Sequence, residues 1–431
     1  MNHRKDGGCF MKEFKAAYGK GYKTFKLSEN RIIGELWPNH VEIGMMGEEE
    51  VKRAILNPIG SARLKDLVKP GNKVVIITSD ITRPMPSKLV VPLVIAELAA
   101  GGIICEDITI VFAIGSHRSH TEEEKKTMVG EEIYNKVRCT DSDPEDYVHM
   151  GRTNSGTPVD IFRIVANADI RVCLGNIEYH WFAGYSGGAK AIMPGVSTKE
   201  AIQANHKFLI REDARAGNLD NNPVRLDIDE VAKFIPIHFI VNVVLDEHKQ
   251  IVKAVAGHYI LAHREGCRFL DQFYKIIIKE LADIVIVSTG GYPKDINLYQ
   301  VQKSLDNARH AVRPGGITIL VGRAQEGLGQ SVFEDWITTA KSPESILERI
   351  QLDFQIGGHK AAAFANVLVK AKVYLVSDLD PALVTKIFMY PFSEVTAALD
   401  EAFRQLGDQA RVMFMPVGGS TLPVLDATSN A

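Results

Sequence analysis

The sequence predicts an α/β protein of two domains, each a mainly parallel sheet flanked by helices. Three observations carry that prediction. Short apolar runs alternate with apolar-periodic helical stretches along most of the chain, the pattern of parallel strands joined by crossover helices. The alternation pauses at a long helical stretch, residues 262–281, and then restarts. At 431 residues the chain is long enough for two or three domains with cores of their own.

Taken in order, residues 22–35 alternate and turn at Glu29-Asn30, which reads as a hairpin. Val51 to Leu67 reads as helix. KVVIIT (73–78) is a short buried strand, and Ser87 to Ala100 is a helix. DITIVFAIG (107–115) is a second strand, followed by a Glu- and Lys-rich helix from Thr121. Ile170 to Ile177 and Ile237 to Leu245 supply further core strands. Beyond the 262–281 helix come DIVIVS, GGITILVG, KVYLVS and RVMFMPVG, four strands of a second, smaller doubly wound domain. The domains are therefore placed at residues 1–268 and 269–431. The residues after Leu425 read as frayed, and the basic first 26 residues as a solvated, partly disordered start.

Composition narrows the function. Fifty Lys and Arg against 53 Asp and Glu give a net charge of −3, which predicts neither nucleic acid nor an anionic membrane as partner. Five scattered cysteines without CxxC spacing speak against a disulfide framework and a cysteine zinc site. There is no signal-peptide pattern and no apolar run of spanning length. The chain reads as cytoplasmic, with its oligomeric state open and a homo-oligomer among the outcomes.

In open parallel sheets, ligands sit beyond the carboxyl ends of the strands. Those positions are polar here: SDITRP (79–84), GSHR (115–118), EYH (178–180) and GGYPKD (290–295). A cleft between the two domains is the expected active site. The densest stretch runs from His180 to His206, where a glycine-rich turn leads to Lys190 and then to a helix capped by Ser197 or Thr198.

Each residue has two readings. His117 and His180 at strand ends could form a two-base pair, as inversion of a stereocentre requires, or be unrelated members of a set of thirteen histidines. Arg83 could clamp a carboxylate or phosphate, and Asp80 could orient a histidine or simply cap a helix. Lys190 lacks the flanking residues of a phosphate-binding loop, which leaves a covalent anchor or a surface lysine. His206 could be a single metal ligand or a cation at a helix C-terminus. Tyr299 and Lys303 share a helix face near its anion-favouring N-terminus, as they would on any amphipathic surface helix.

Together these motifs, running on to LYQVQK (298–303), resemble the nickel-pincer lactate racemase family and its wider set of 2-hydroxyacid racemases and epimerases. The resemblance covers most of the chain, and the His180, Lys190, His206 spacing is its most specific part. It implies a nickel-pincer nucleotide, a pyridinium dithio-acid mononucleotide covalently held by Lys190, with nickel completed by His206. It implies His117 and His180 as the acid/base pair. Arg83, Gln300 and Lys303 would bind the substrate carboxylate, Asp80 and Tyr299 would serve the cofactor site, and Phe354 would pack on the cofactor.

The implied activity is interconversion of the D and L forms of a 2-hydroxy acid by reversible, proton-coupled hydride transfer. Cofactor-biosynthesis proteins would be the chain's partners. A sugar-acid 2-epimerase with the same cofactor is the first rival. A conventional metal-dependent hydrolase or lyase, and a binding protein on the same scaffold, stand further off.

Overall fold

A computed structural model describes residues 10–246, 248–355 and 357–426. It is an α/β structure with largely parallel sheets, and it divides into two compact units. One is Val41–Phe273; the other joins Met1–His40 to Tyr274–Ala431.

The Val41–Phe273 unit holds a six-stranded sheet in the order Ile251–Gly257, Phe239–Leu245, Ile170–Asn176, Val74–Ser79, Ile108–Ala113, Arg138–Asp141. All neighbours are parallel except the first pair. The central strands are near-continuous apolar runs because helices cover both faces. Ile76, Ile110, Val172 and Val241 join Val90, Val94 and Leu98 of the Ser87–Ala100 helix in one core. That packing fixes the strand ends, and the loops leaving them are held by polar groups.

The second unit holds another six-stranded sheet, entirely parallel: Tyr390–Phe392, Lys372–Val376, Val312–Val321, Ala282–Ser288, Val412–Met415, Ile32–Glu35. The four strands expected here are present, and an edge strand is added on each side.

Three local expectations are corrected. The hairpin turns earlier, at Gly19-Lys20, pairing Met11–Tyr18 with Gly21–Ser28. Gly19 takes φ +55°, which a two-residue hairpin loop favours, and Glu29–Arg31 is a 3₁₀ turn instead. Phe14, Ala16, Phe25 and Leu27 bury against Phe414, so residues 10–40 pack with the C-terminal unit rather than with residues 41–268. The expected helix over 51–67 is two helices, Gly47–Leu56 and Leu64–Leu67. Pro58 disfavours helix at Asn57, and Ile59 instead bridges to Gly257.

The helix expected over 262–281 ends at Tyr274. Lys275–Ile278 is a strand beside Leu422–Leu425, as its run of β-branched isoleucines favours. The two units meet in sequence between 273 and 274, within the 262–281 stretch where the strand–helix alternation pauses.

The start expected to be solvated is ordered hairpin from Met11 onward, while residues 1–9, Cys9 among them, and the expected frayed end at 427–431 lie outside the described residues. Cys105, Cys139, Cys173 and Cys267 are free thiols. Among the described residues no helix is long and apolar enough to cross a membrane.

Candidate active site

Beyond the Val74–Ser79 strand the chain turns on itself, with the Arg83 N–H donating to Asp80 O at 3.1 Å. Asp80 is not a helix cap: the next helix begins at Ser87 after Pro86. Its carboxylate is buried and shared between two loops. Oδ1 accepts the Thr82 N–H at 2.7 Å and the Thr82 hydroxyl at 2.5 Å. Oδ2 lies 2.6 Å from His117 Nδ1. Burial alone would raise the Asp80 pKa, yet the His117 and Thr82 hydrogen bonds and the Arg83 charge hold it below the ordinary carboxylate value. An ionised Asp80 accepts from Nδ1–H and leaves Nε2 as the His117 nitrogen for proton transfer.

The loop carrying His117 is pinned to the lysine turn, since the Gly115 N–H donates to Gly195 O at 2.9 Å. Past the Ile170–Asn176 strand, Tyr179–His180 pairs antiparallel with Gly184–Tyr185. Within that tight reversal His180 Nδ1 accepts the Ala183 N–H at 3.2 Å, so a neutral His180 carries its proton on Nε2. Lys190 sits on the 3₁₀ turn Gly188–Ala191. Thr198 caps the helix Lys199–His206, which ends on the buried His206.

One side chain joins all three. The buried Phe182 ring meets His180 at 4.5 Å between centroids and His206 at 4.9 Å, both edge-on, and the Lys190 Nζ lies 5.9 Å from its centre. In the sequence alone Phe182, five residues past the expected strand Ile170 to Ile177, reads as core.

Electrostatics set the protonation of this group. Burial, then the charges of Arg225 and Arg83, hold the Lys190 amine well below the usual lysine range, against an opposing pull from Glu178. Burial, then Lys190, Arg83, His206 and Arg225, hold His180 well below the usual imidazole value. Arg83 thus acts on Asp80, His180 and Lys190 alike, which places the two strand-end loops around one region.

Arg225 is a further residue the sequence reading missed. It is fully buried on the Pro223–Val231 helix, donating to the carbonyls of Tyr185, of Ala183 at 3.4 Å and of Gly187 at 3.4 Å. Asp229 balances it at 3.6 Å. An arginine on the apolar face of that helix was the available signal.

Under the glycine turn, Asn242 Oδ1 accepts the Gly188 N–H at 2.8 Å, and His263 Nε2 lies 2.7 Å from Ser186 O. Gly187 and Gly188 take φ +78° and +61°. A Cβ on Gly187 would stand 2.8 Å from Asn242 Oδ1, and one on Gly188 2.9 Å from His263 Cγ. These glycines let the turn lie against the protein beneath it.

The remaining predicted residues lie in the other unit. Asn297 caps the helix Leu298–Ala308, accepting the Gln300 N–H at 3.0 Å. Tyr299, Gln300 and Lys303 occupy its first turns, with Gln300 exposed and Tyr299 and Lys303 partly buried. The Tyr299 ring meets Phe333 at 5.7 Å and carries the Lys360 ammonium 5.2 Å from its centre. Phe354 lies between the helices Pro343–Leu352 and Gly358–Leu368, stacked on His359 at 6.0 Å. The structure thus gathers Asp80, Arg83, His117, His180, Lys190 and His206 in the Val41–Phe273 unit, and Tyr299, Gln300, Lys303 and Phe354 in the other.

The fold is α/β, and beyond its strand ends lie a histidine, His180, and a lysine, Lys190, both held toward their neutral forms. Comparison with known proteins makes the class specific. Residues 18–217 match the lactate racemase N-terminal domain and residues 277–422 the lactate racemase C-terminal domain. The chain is 35% identical over 424 residues to a lactate racemase of Thermoanaerobacterium thermosaccharolyticum, covering 96% of this chain and 99% of the relative. It is also 35% identical over 383 residues to one of Lactiplantibacillus plantarum, covering 86% and 89%.

The apoprotein structure of the Thermoanaerobacterium thermosaccharolyticum enzyme superposes with a TM-score of 0.87 over 96% of this chain and all of that one. A Thermotoga maritima protein of 18% identity shares the fold, at a TM-score of 0.64 over 89% of this chain and all of that one. The chain belongs to the lactate racemase family, and is an isomerase of the racemase class.

Proposed function

We propose that this protein inverts the 2-carbon of a small 2-hydroxy acid, lactate first among them, using a nickel-pincer nucleotide tethered to Lys190. The observation that carries the reading is the Phe182 ring, against which His180, Lys190 and His206 all stand.

The residues present fit such a group. A lysine held toward its neutral form is the right nucleophile for a covalent link. An imidazole suits nickel, and His206 supplies one beside the same ring. Among the described residues no three His, Cys, Asp or Glu side chains come together as a metal site, so His206 would share the metal with the tethered group rather than with other side chains. When bound, that group supplies the hydride acceptor and donor for the α-hydrogen, so net redox change is zero and no second cofactor turns over.

The chain's own residues provide the rest. The two enantiomers present their 2-hydroxyl groups differently when the α-hydrogen faces the same way, so the hydroxyl proton is taken up at one position and returned at another, and His117 and His180 take those parts. They are differently equipped: the Asp80 carboxylate faces His117 Nδ1 at 2.6 Å, whereas burial first, and then the charges of neighbours such as Arg83, favour the neutral, proton-accepting form of His180. Arg83, Gln300 and Lys303 hold the substrate carboxylate, and an arginine can do so with two parallel hydrogen bonds. Tyr299 and Phe354 pack at the cofactor. Proteins that make the nucleotide are the chain's required partners.

The test is chiral chromatography of a panel of 2-hydroxy acids, lactate and a longer aldonate included, offered separately as each enantiomer to protein made with nickel and the cofactor-synthesis proteins. The reading expects lactate to approach a racemic mixture from either side, and His180→Ala to abolish it. Turnover with zinc or manganese alone, indifferent to Lys190, would overturn it.

A further inference from the structure

His120 lies three residues beyond His117 in the loop after the Ile108–Ala113 strand. Its Nε2 lies 3.1 Å from the Ile81 backbone nitrogen, whose N–H donates to it. A backbone amide can only donate, so this ring nitrogen bears no proton and the neutral imidazole carries its hydrogen on Nδ1. That hydrogen is directed at Asp141, with Nδ1 2.6 Å from Oδ1. Asp141 is itself fixed, its Oδ2 accepting the His120 backbone N–H at 3.0 Å and facing Lys125 Nζ at 3.1 Å. The buried ring also rests edge-on against Phe112 at 5.5 Å.

The loop it grips has little else to hold it. Ile81, Thr82 and Arg83 are all exposed, so apolar packing does not set their path. Hydrogen bonds do. Two histidines of one loop therefore hold successive residues of the other: His117 takes the Asp80 carboxylate, and His120 takes the Ile81 N–H. Asp80 Oδ1 is already committed to Thr82. The direction of Oδ2 then depends on how the peptide between Asp80 and Thr82 is turned, which is what His120 fixes.

We propose that His120, with Asp141 setting its tautomer, is a positioning residue for the reaction. It turns the Ile81 peptide so that Asp80 faces His117 and Arg83 follows in register. The proposal rests on the roles given above to His117 and Arg83, and its test separates the two.

Two substitutions divide the imidazole's two bonds. His120→Asn retains an amide N–H where Nδ1 was, able to reach Asp141, but has no atom in place of Nε2. His120→Gln retains an acceptor where Nε2 was and gives up the Asp141 bond. In cofactor-loaded protein, kcat/KM of the Asn variant should fall on the order of tenfold to a hundredfold, the scale of a small misplacement at a reacting centre, while the Gln variant stays close to wild type. In the apoprotein, the Asn variant should lose the slow hydrogen exchange of the Ile81 amide and the downfield proton resonance of the His117–Asp80 pair. A role confined to stability would lower the melting temperature and leave that resonance in place.

Equal loss in both variants, or better activity from Asn than from Gln, overturns the proposal. So does an Ile81 amide that exchanges in wild type as fast as an open peptide, a measurement that stands even if neither variant folds. Exchange and resonance are read without substrate, so they report on His120 even if no 2-hydroxy acid is inverted. An inactive wild type would fell the racemase reading alone.

Discussion

The ring of Phe182 meets the imidazole of His180 perpendicularly, at 89° and 4.5 Å between centroids. The same ring stands edge-on to His206 and under the Lys190 amine. The Phe182 backbone is held by Asn222, whose Nδ2 donates to Phe182 O at 2.8 Å. One apolar side chain thus stands beside all three residues proposed to act at the site.

Phe182→Leu keeps an apolar residue of lesser reach, and a large-to-small change of this kind costs about 1–3 kcal/mol rather than the fold. The melting temperature should drop by a few degrees, while cofactor retention and racemisation fall far more. Unchanged turnover at lowered stability would reduce Phe182 to core packing.

Lys190 gives a stability prediction with a definite sign. Its folded pKa lies well below the ordinary 10.5. Between those two values the unfolded chain binds the extra proton, so stability rises with pH across that window. At neutral pH the buried amine is therefore a burden on the apoprotein. Lys190→Met should melt higher than wild-type apoprotein at pH 7, with the gap narrowing as pH climbs toward 10.5. A lower melting temperature for the variant would contradict this.

His180 should resist protonation. Its pKa lies well below 6.5 because of burial first and then the cations around it, Arg83 among them. In an NMR titration of the apoprotein its ring signals should still report the neutral form at pH 6.5. Arg83→Met removes one positive neighbour and should move the midpoint upward. A midpoint at or above 6.5, or one insensitive to Arg83, would remove the electrostatic argument.

Asp80→Asn preserves the shape of the turn but removes the charge facing His117. The expected result is a fall in kcat on the order of a hundredfold, the scale of a general acid–base contribution, together with a lower melting temperature at pH 7, because the fold favours the ionised Asp80. Full activity in this variant would show that His117 needs no carboxylate.

Much of this was legible in the sequence, for identifiable reasons. Strands such as VVIITS and DIVIVS are continuous apolar runs, and the fold needs nothing more local than that to be recognised. His117, His180, Lys190 and His206 stand at strand ends or helix ends, where reactive groups are expected. The hairpin register was missed because residues 11–35 alternate throughout, and only Gly19 marks the true turn. Arg225 and His120 were missed because their parts are played through neighbours distant in sequence, and Phe182 because an aromatic just past a strand reads as core. Arg225 reaches carbonyls about forty residues away, and His120 reaches a backbone N–H 39 residues away. Gly187 and Gly188 depend on equally distant neighbours, since a Cβ on either would meet Asn242 or His263, more than fifty residues on.

Intact-mass analysis with peptide mapping tests the proposed covalent role of Lys190. Protein made with nickel and the cofactor-synthesis proteins should carry a single added mass that maps to Lys190 and is absent from Lys190→Ala, which should also be unable to racemise. No adduct at Lys190, together with undiminished racemisation by the alanine variant, would contradict the account.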